Sequence, residues 1–261
     1  MVKVGVMGAG AYGAALGEIL SEKGFLVLYY DTKLPDSDIL SVVDGASYIL
    51  LAVPSTAIDD ILLSLIHGIP LIVATKGILS KEVFSDFSDP MLISGPGFAE
   101  DIVKQKKTTL TTTDRRVIDL FSTKYLSFDY TNDFQGVLLS GSLKNVYAIG
   151  AGVLNLEYGS PEWREYITDV YSEFKNILRF NGCDPRTADL SCGLGDLKLT
   201  CNTPSRNYQF GRNLAKNDSF LSDNTVEGLS TAQAIYDGKL ALPEDAVILE
   251  SIIKRVINGI K

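Results

Sequence analysis

The sequence predicts an α/β protein, with a Rossmann-type doubly wound sheet over residues 1–130 and an all-α domain over residues 131–261. Three observations carry this. The chain opens with an apolar, β-branched run that ends in Gly8-Ala9-Gly10-Ala11-Tyr12-Gly13 and passes into a helical pattern. Short apolar runs then alternate with helical segments as far as residue 130. After Tyr130 only helical periodicity remains.

Residues 2–7 form the first strand and residues 14–22 the first helix. Gly8 permits the tight turn between them, Gly10 lets the backbone approach a pyrophosphate, and Gly13 allows close helix–strand packing. The helix N-terminus, from Ala11 and Tyr12, offers amides to the phosphates. Residues 25–30 form the second strand, and Asp31 ends it at the spacing where an acidic residue accepts hydrogen bonds from an adenosine ribose. A 2′-phosphate there would meet like charge, so NAD is expected over NADP; Lys33 close by keeps NADP in play. Residues 47–53 are a strand ending in Pro54-Ser55, and residues 57–66 a helix. Strands follow over 71–75, running into Lys76-Gly77, and over 91–94, running into Gly95-Pro96-Gly97. A helix over 98–104, a strand over 108–111, a helix over 115–122 and a strand over 126–130 complete a largely parallel sheet. Ligands of such sheets lie beyond the strands' carboxyl ends, where Pro54, Lys76, Gly95 and Gly97 fall.

In the second half, Asp133 is placed to cap a long helix reaching about residue 156. Further helices are expected over 162–181, 205–216, 231–237 and 244–258. Lys144 and Asn145 sit mid-helix among small and apolar residues, and Asp196 sits in a Gly-rich apolar stretch. Polar groups are costly to bury without partners, so these positions mark a ligand site.

Composition narrows the function classes. Apolar residues make up 46% of the 261 and charged residues 21%, an ordinary globular balance, and no apolar run reaches membrane-span length. The net charge of −8 argues against a nucleic-acid surface but allows a local basic pocket for a small anion. The first strand starts at once, which predicts no secretory leader and a cytoplasmic protein. Cys183, Cys192 and Cys201 lack CxxC spacing and read as free thiols in a reducing compartment, not as a metal site.

A nicotinamide enzyme that oxidises an alcohol must also remove a hydroxyl proton. The single histidine, His67, precedes Gly68 at a helix end and reads as a cap. Lysine is then the candidate base, since burial or a neighbouring cation lowers its pKa. Lys144 and Lys76, brought together across the domain cleft, would supply that arrangement, with Asp196 orienting the ammonium or bonding a substrate hydroxyl. Ser205-Arg206-Asn207 starts a helix with Ser205 as N-cap, and a helix N-terminus with an arginine suits a phosphate. The residues alone therefore point to a small phosphorylated alcohol or ketone.

These pieces resemble the NAD(P)-dependent glycerol-3-phosphate dehydrogenases, of the 6-phosphogluconate dehydrogenase-like superfamily. The resemblance rests on Gly8 to Gly13, Val53-Pro54-Ser55, Ala74-Thr75-Lys76-Gly77, Ser94-Gly95-Pro96-Gly97-Phe98-Ala99-Glu100, Leu143-Lys144-Asn145-Val146, Gly193-Leu194-Gly195-Asp196-Leu197, Thr200-Cys201, Ser205-Arg206-Asn207 and Val226-Glu227-Gly228. It implies interconversion of sn-glycerol 3-phosphate and dihydroxyacetone phosphate for phospholipid synthesis, with Lys144 transferring the proton. It also implies that Lys76, Gly95, Asp196, Ser205, Arg206 and Asn207 bind substrate and that Ala99, Arg206 and Glu227 lie near the cofactor. With the apolar helical half, it implies a homodimer. The chain departs from the family in a much shorter stretch after Asp31, in Gly97 where a hydroxyl residue is usual, and in residues 157–174. Two other readings remain: a ketopantoate- or hydroxyisobutyrate-type reductase, in which Arg206 would hold a carboxylate, and a dinucleotide-binding sensor without turnover.

Overall fold

The fold is described from a computed structural model covering residues 1–35, 37–65, 68–87, 89–216 and 226–260. His67 lies outside the described residues. The chain divides into two compact units, one of Met1–Thr75 and Lys81–Asn132, the other of Lys76–Ser80 and Asp133–Lys261.

The first unit contains β1 (Lys3–Met7), α1 (Ala11–Glu22), β2 (Leu26–Tyr30), α2 (Ile39–Val43), β3 (Tyr48–Leu51), α3 (Ile58–Leu63), β4 (Leu71–Val73), β5 (Met91–Ser94), α4 (Ala99–Val103), β6 (Thr108–Thr112), α5 (Arg115–Phe121) and β7 (Leu126–Tyr130). The strands form one sheet in the order β2-β1-β3-β4-β5-β6-β7. Every pairing is parallel except β5 with β6, which set Ile93 against Thr112 and Ser94 against Thr111. Val4, Val6, Leu50, Ile72, Met91 and Leu110 fill the core on which α1 packs through Leu16, Ile19 and Leu20. The chain reverses direction across the sheet between β1 and β3, so the switch point lies beside Gly8 and Ala52. In the six-stranded dinucleotide-binding order a further strand lies outboard of the second one. Here β2 is the edge strand, in keeping with the short stretch after Asp31.

Two local expectations are corrected. The helix expected over residues 57–66 is the shorter α3, entered through a 3₁₀ turn at Ser55–Ala57, and residue 66 lies outside the described residues. The short helix α2 was not foreseen: its five residues are too few to show periodicity, and it forms because Asp38 accepts hydrogen bonds from the Leu40 and Ser41 amides.

Among the described residues the regular elements of the second unit are all helical: α6 (Phe134–Val153), α7 (Pro161–Phe180), a 3₁₀ segment (Pro185–Asp189), a π turn (Ser191–Gly195), α8 (Asp196–Thr200), α9 (Arg206–Lys216), α10 (Glu227–Tyr236) and α11 (Val247–Ile260). Asp133 caps α6, its carboxylate accepting from the Gly136 amide. Helix α6 is buried continuously from Gly136 to Gly152, so it is the core around which the others pack. Glu173 of α7 is buried too, and its carboxylate accepts from the Ile248 and Leu249 amides at the start of α11 and from the Tyr147 hydroxyl. Helix α10 begins at Glu227, four residues before the expected start, and α11 three residues after its expected start. Polar residues at the head of α10 hide the first turn from any apolar pattern.

Candidate active site

In the first unit the functional geometry belongs to the backbone. Gly8 has φ +102°, and a Cβ there would stand 2.7 Å from the Ala52 carbonyl. A Cβ on Gly13 would stand 2.0 Å from the Gly8 carbonyl oxygen, so this glycine is what lets α1 start tight against the turn. Gly10 differs: its φ is −62°, and a Cβ there would meet nothing within 4 Å. Neither conformation nor protein packing asks for glycine at 10, whereas a pyrophosphate resting on the backbone would. Gly10 also caps α1 without a side-chain hydrogen bond, and the first turn holds no acidic residue, so the helix N-terminus is open to an anion.

Asp31 is held from both sides. Oδ2 accepts from the Ala9 amide at 2.8 Å and Oδ1 from the Lys33 amide at 2.9 Å. The carboxylate is thereby fixed beside the glycine turn. The open turn and the fixed carboxylate fit a dinucleotide. Pro54 is exposed after β3, Gly95 is buried after β5 with φ +141°, and Ala99 starts α4. Ser94, absent from the sequence-based candidates, has a buried hydroxyl with no hydrogen-bond partner among the described residues.

The second unit gathers charge in its interior. Lys144 is 3% exposed at the middle of α6. Its Nζ lies 2.6 Å from Asp196 Oδ1 and donates to Thr200 Oγ1 at 3.0 Å. The Thr200 hydroxyl in turn donates to the Asp196 carbonyl at 2.7 Å. Lys76 Nζ lies 3.9 Å from Asp196 Oδ2. Lys76–Ser80 belongs to the helical unit, so both lysines are set around Asp196 by that unit alone, not drawn from opposite sides of a cleft as the sequence suggested. Ser142 fastens the segment by donating to the Ile78 carbonyl at 2.7 Å.

Burial lowers the Lys144 pKa from 10.5 to about 8; Asp196 opposes the shift and Lys76 adds to it. An amine of that pKa exchanges protons near neutral pH. Asp196 Oδ2 has no hydrogen-bond partner among the described residues, so a buried acceptor remains for a donor hydroxyl. Thr200 was missed as a site residue, although its i+4 spacing from Asp196 puts it on the same helical face.

The remaining candidates separate into two kinds. Ser205 is buried at the head of α9, where its hydroxyl accepts from the Tyr208 amide at 3.5 Å. Asn207 is hydrogen-bonded within the unit: Nδ2 donates to Asn145 Oδ1 at 3.0 Å and Oδ1 accepts from the Gly228 amide at 2.9 Å. Arg206, by contrast, is exposed and takes part in no ion pair among the described residues. It lies in the first turn of α9, and Glu227 opens α10.

Comparison with known proteins identifies the family. Residues 133–261 match the model of the C-terminal region of NAD-dependent glycerol-3-phosphate dehydrogenases. A glycerol-3-phosphate dehydrogenase [NAD(P)+] of Leptospira biflexa is 33% identical, over 88% of this chain and 86% of that one. The crystal structure of a glycerol-3-phosphate dehydrogenase from Coxiella burnetii shares the fold at TM-score 0.81 and 22% identity, covering 98% of both chains. That of the Saccharomyces cerevisiae enzyme does so at 0.79 and 19%, covering 100% of this chain and 99% of that one. The chain belongs to the NAD(P)-dependent glycerol-3-phosphate dehydrogenase family.

Proposed function

We propose that the protein interconverts sn-glycerol 3-phosphate and dihydroxyacetone phosphate, using NAD in preference to NADP, with Lys144 as the group that moves the hydroxyl proton. The observation that carries this reading is the buried Lys144 ammonium held 2.6 Å from Asp196 with a pKa of about 8. Residues 1–130 act as the dinucleotide-binding domain and residues 131–261 as the substrate-binding domain, with Lys76 joining the latter. When bound, the nicotinamide supplies or accepts the hydride. Protonated Lys144 gives its proton to the developing alkoxide during ketone reduction; neutral Lys144 takes it back during alcohol oxidation. Asp196 keeps the ammonium oriented through Oδ1 and offers Oδ2 to a substrate hydroxyl. Lys76 keeps a second positive charge beside the same carboxylate and so holds the Lys144 pKa down. Arg206, whose guanidinium makes no ion pair among the described residues, takes the phosphate at the head of α9. Asp31 meets the ribose hydroxyls of NAD and repels a 2′-phosphate.

Among the described residues no helix is long and apolar enough to cross a membrane. The three cysteines are free and buried, which supports a cytoplasmic setting. A homodimer is proposed from the family resemblance and the apolar helical half.

The test is NADH oxidation by purified protein with dihydroxyacetone phosphate, run beside ketopantoate and the semialdehyde acid that is the oxidised form of 3-hydroxyisobutyrate. Turnover with dihydroxyacetone phosphate alone is expected. Turnover of another carbonyl compound in its place would install the related-reductase reading. Tight NADH binding with no turnover of any of them would make the protein a sensor.

A further inference from the structure

Lys144 and Asp196 lie on different elements, and their separation depends on how the segment 184–196 returns along α6. Asp196 follows a π turn in which Gly193 has non-helical angles, φ −91° and ψ −106°, and a Cβ on Gly193 would stand 2.2 Å from the Ala188 carbonyl oxygen. The π turn is thus seated directly on the 3₁₀ segment before it, and wherever that segment goes Asp196 follows. The 3₁₀ segment is tied down by Asp133. Oδ2 of Asp133 accepts from the Asp184 amide at 3.0 Å and from the Thr187 hydroxyl at 2.6 Å, while Oδ1 caps α6 through the Gly136 amide at 3.0 Å. An N-cap needs one acceptor oxygen. The second oxygen, carrying two hydrogen bonds to a segment some 50 residues away in sequence, serves another purpose. Lys144 stands on the same helix, about 16 Å along it by the rise per residue.

We propose that Asp133 is a positioning residue for proton transfer, a clamp that fixes the register of the segment 184–196 on α6 and thereby holds the Asp196 carboxylate against the Lys144 ammonium. The proposal rests on the reading of Lys144 as the proton-transfer group. A misplacement of about 1 Å at a reacting group costs up to about a hundredfold in rate, so a clamp remote from the chemistry has a kinetic signature.

The test is Asp133→Asn, which keeps an oxygen for the Gly136 amide but presents an NH₂ where the Asp184 amide and Thr187 hydroxyl need an acceptor. Thr187→Val removes one of those bonds from the other side, and Ser160→Ala removes an ordinary N-cap, that of α7, as a control. Two quantities are read: kcat against pH for reduction of dihydroxyacetone phosphate, and the pH titration of the Lys144 side chain by NMR of ¹³C-labelled lysine in cofactor-free protein. Asp196 and Lys76 are the charged groups acting on Lys144, Asp196 raising its pKa and Lys76 lowering it, while the ammonium in turn favours the thiolate of the buried Cys201. A slackened clamp therefore moves both the kinetic limb and the NMR midpoint to lower pH, with kcat down at least about tenfold. Thr187→Val shifts both in the same direction by less, and Ser160→Ala leaves both at the wild-type values. Unmoved or raised midpoints in folded Asp133→Asn overturn the proposal, as does a fall in kcat without a shift. Should Asp133→Asn not fold, Thr187→Val decides by the same criterion. If the wild type fails to reduce dihydroxyacetone phosphate, the functional reading falls, while the cofactor-free titration still judges the clamp.

Discussion

The glycine turn of the first unit and the lysine–aspartate cluster of the second achieve their chemistry by opposite means. The turn works by leaving atoms out: Gly8 and Gly13 bring backbone together, and Gly10 leaves space that none of the described residues fills. The cluster works by forcing charge in. Lys144 and Asp196 are 3% and 1% exposed, and each is tolerable there only because of the other. The first device can be read locally, since its pattern is carried by six consecutive residues, Gly8 to Gly13. The second device needs three segments, at residues 76, 144 and 196, to meet, and its properties belong to none of them singly.

This contrast can be broken most forcefully at the cluster. Lys144→Met should lower turnover of dihydroxyacetone phosphate at least about a hundredfold, the lower range for losing a general acid–base group, and leave NADH affinity as it was. Loss of NADH binding in that variant would mean that the two devices are not separable.

Within the turn, two glycines should behave differently. Gly13→Ala places a Cβ 2.0 Å from the Gly8 carbonyl oxygen, so thermal unfolding should show a loss of about 1–3 kcal/mol, as overpacking does. Gly10→Ala meets open space and should leave the melting temperature in place, while titration with NADH shows affinity lower by about tenfold, or about 1.4 kcal/mol. Equal effects on stability would contradict the division of labour between the two. The smallest expected change is one of preference: Asp31→Ser should reduce the ratio of kcat/KM for NADH over NADPH, because the charge that repels a 2′-phosphate is gone.

What was legible in the sequence follows the same line. The strand, glycine turn and first helix were legible because β-branched runs, Gly spacing and apolar periodicity are local signals. Lys144 and Asp196 stood out as polar residues in apolar surroundings, and Asp133 as the cap of α6. Thr200 did not stand out, because a threonine on a helix carries no sign of what its hydroxyl meets. Nor did the sequence reveal that Lys76 sides with the helical unit, since a residue following a strand reads as part of the sheet domain. The double duty of Asp133 was equally hidden: a cap is a local pattern, whereas its bonds to residues 184 and 187 are a product of the fold.

The central claim, that burial beside Asp196 tunes Lys144 for proton exchange, is tested most directly by titrating its side chain in ¹³C-lysine-labelled protein, with Lys144→Met identifying the resonance. The account predicts a midpoint at about 8, and reduction activity that declines above it as the ammonium deprotonates. A midpoint at the ordinary lysine value of 10.5 would contradict it.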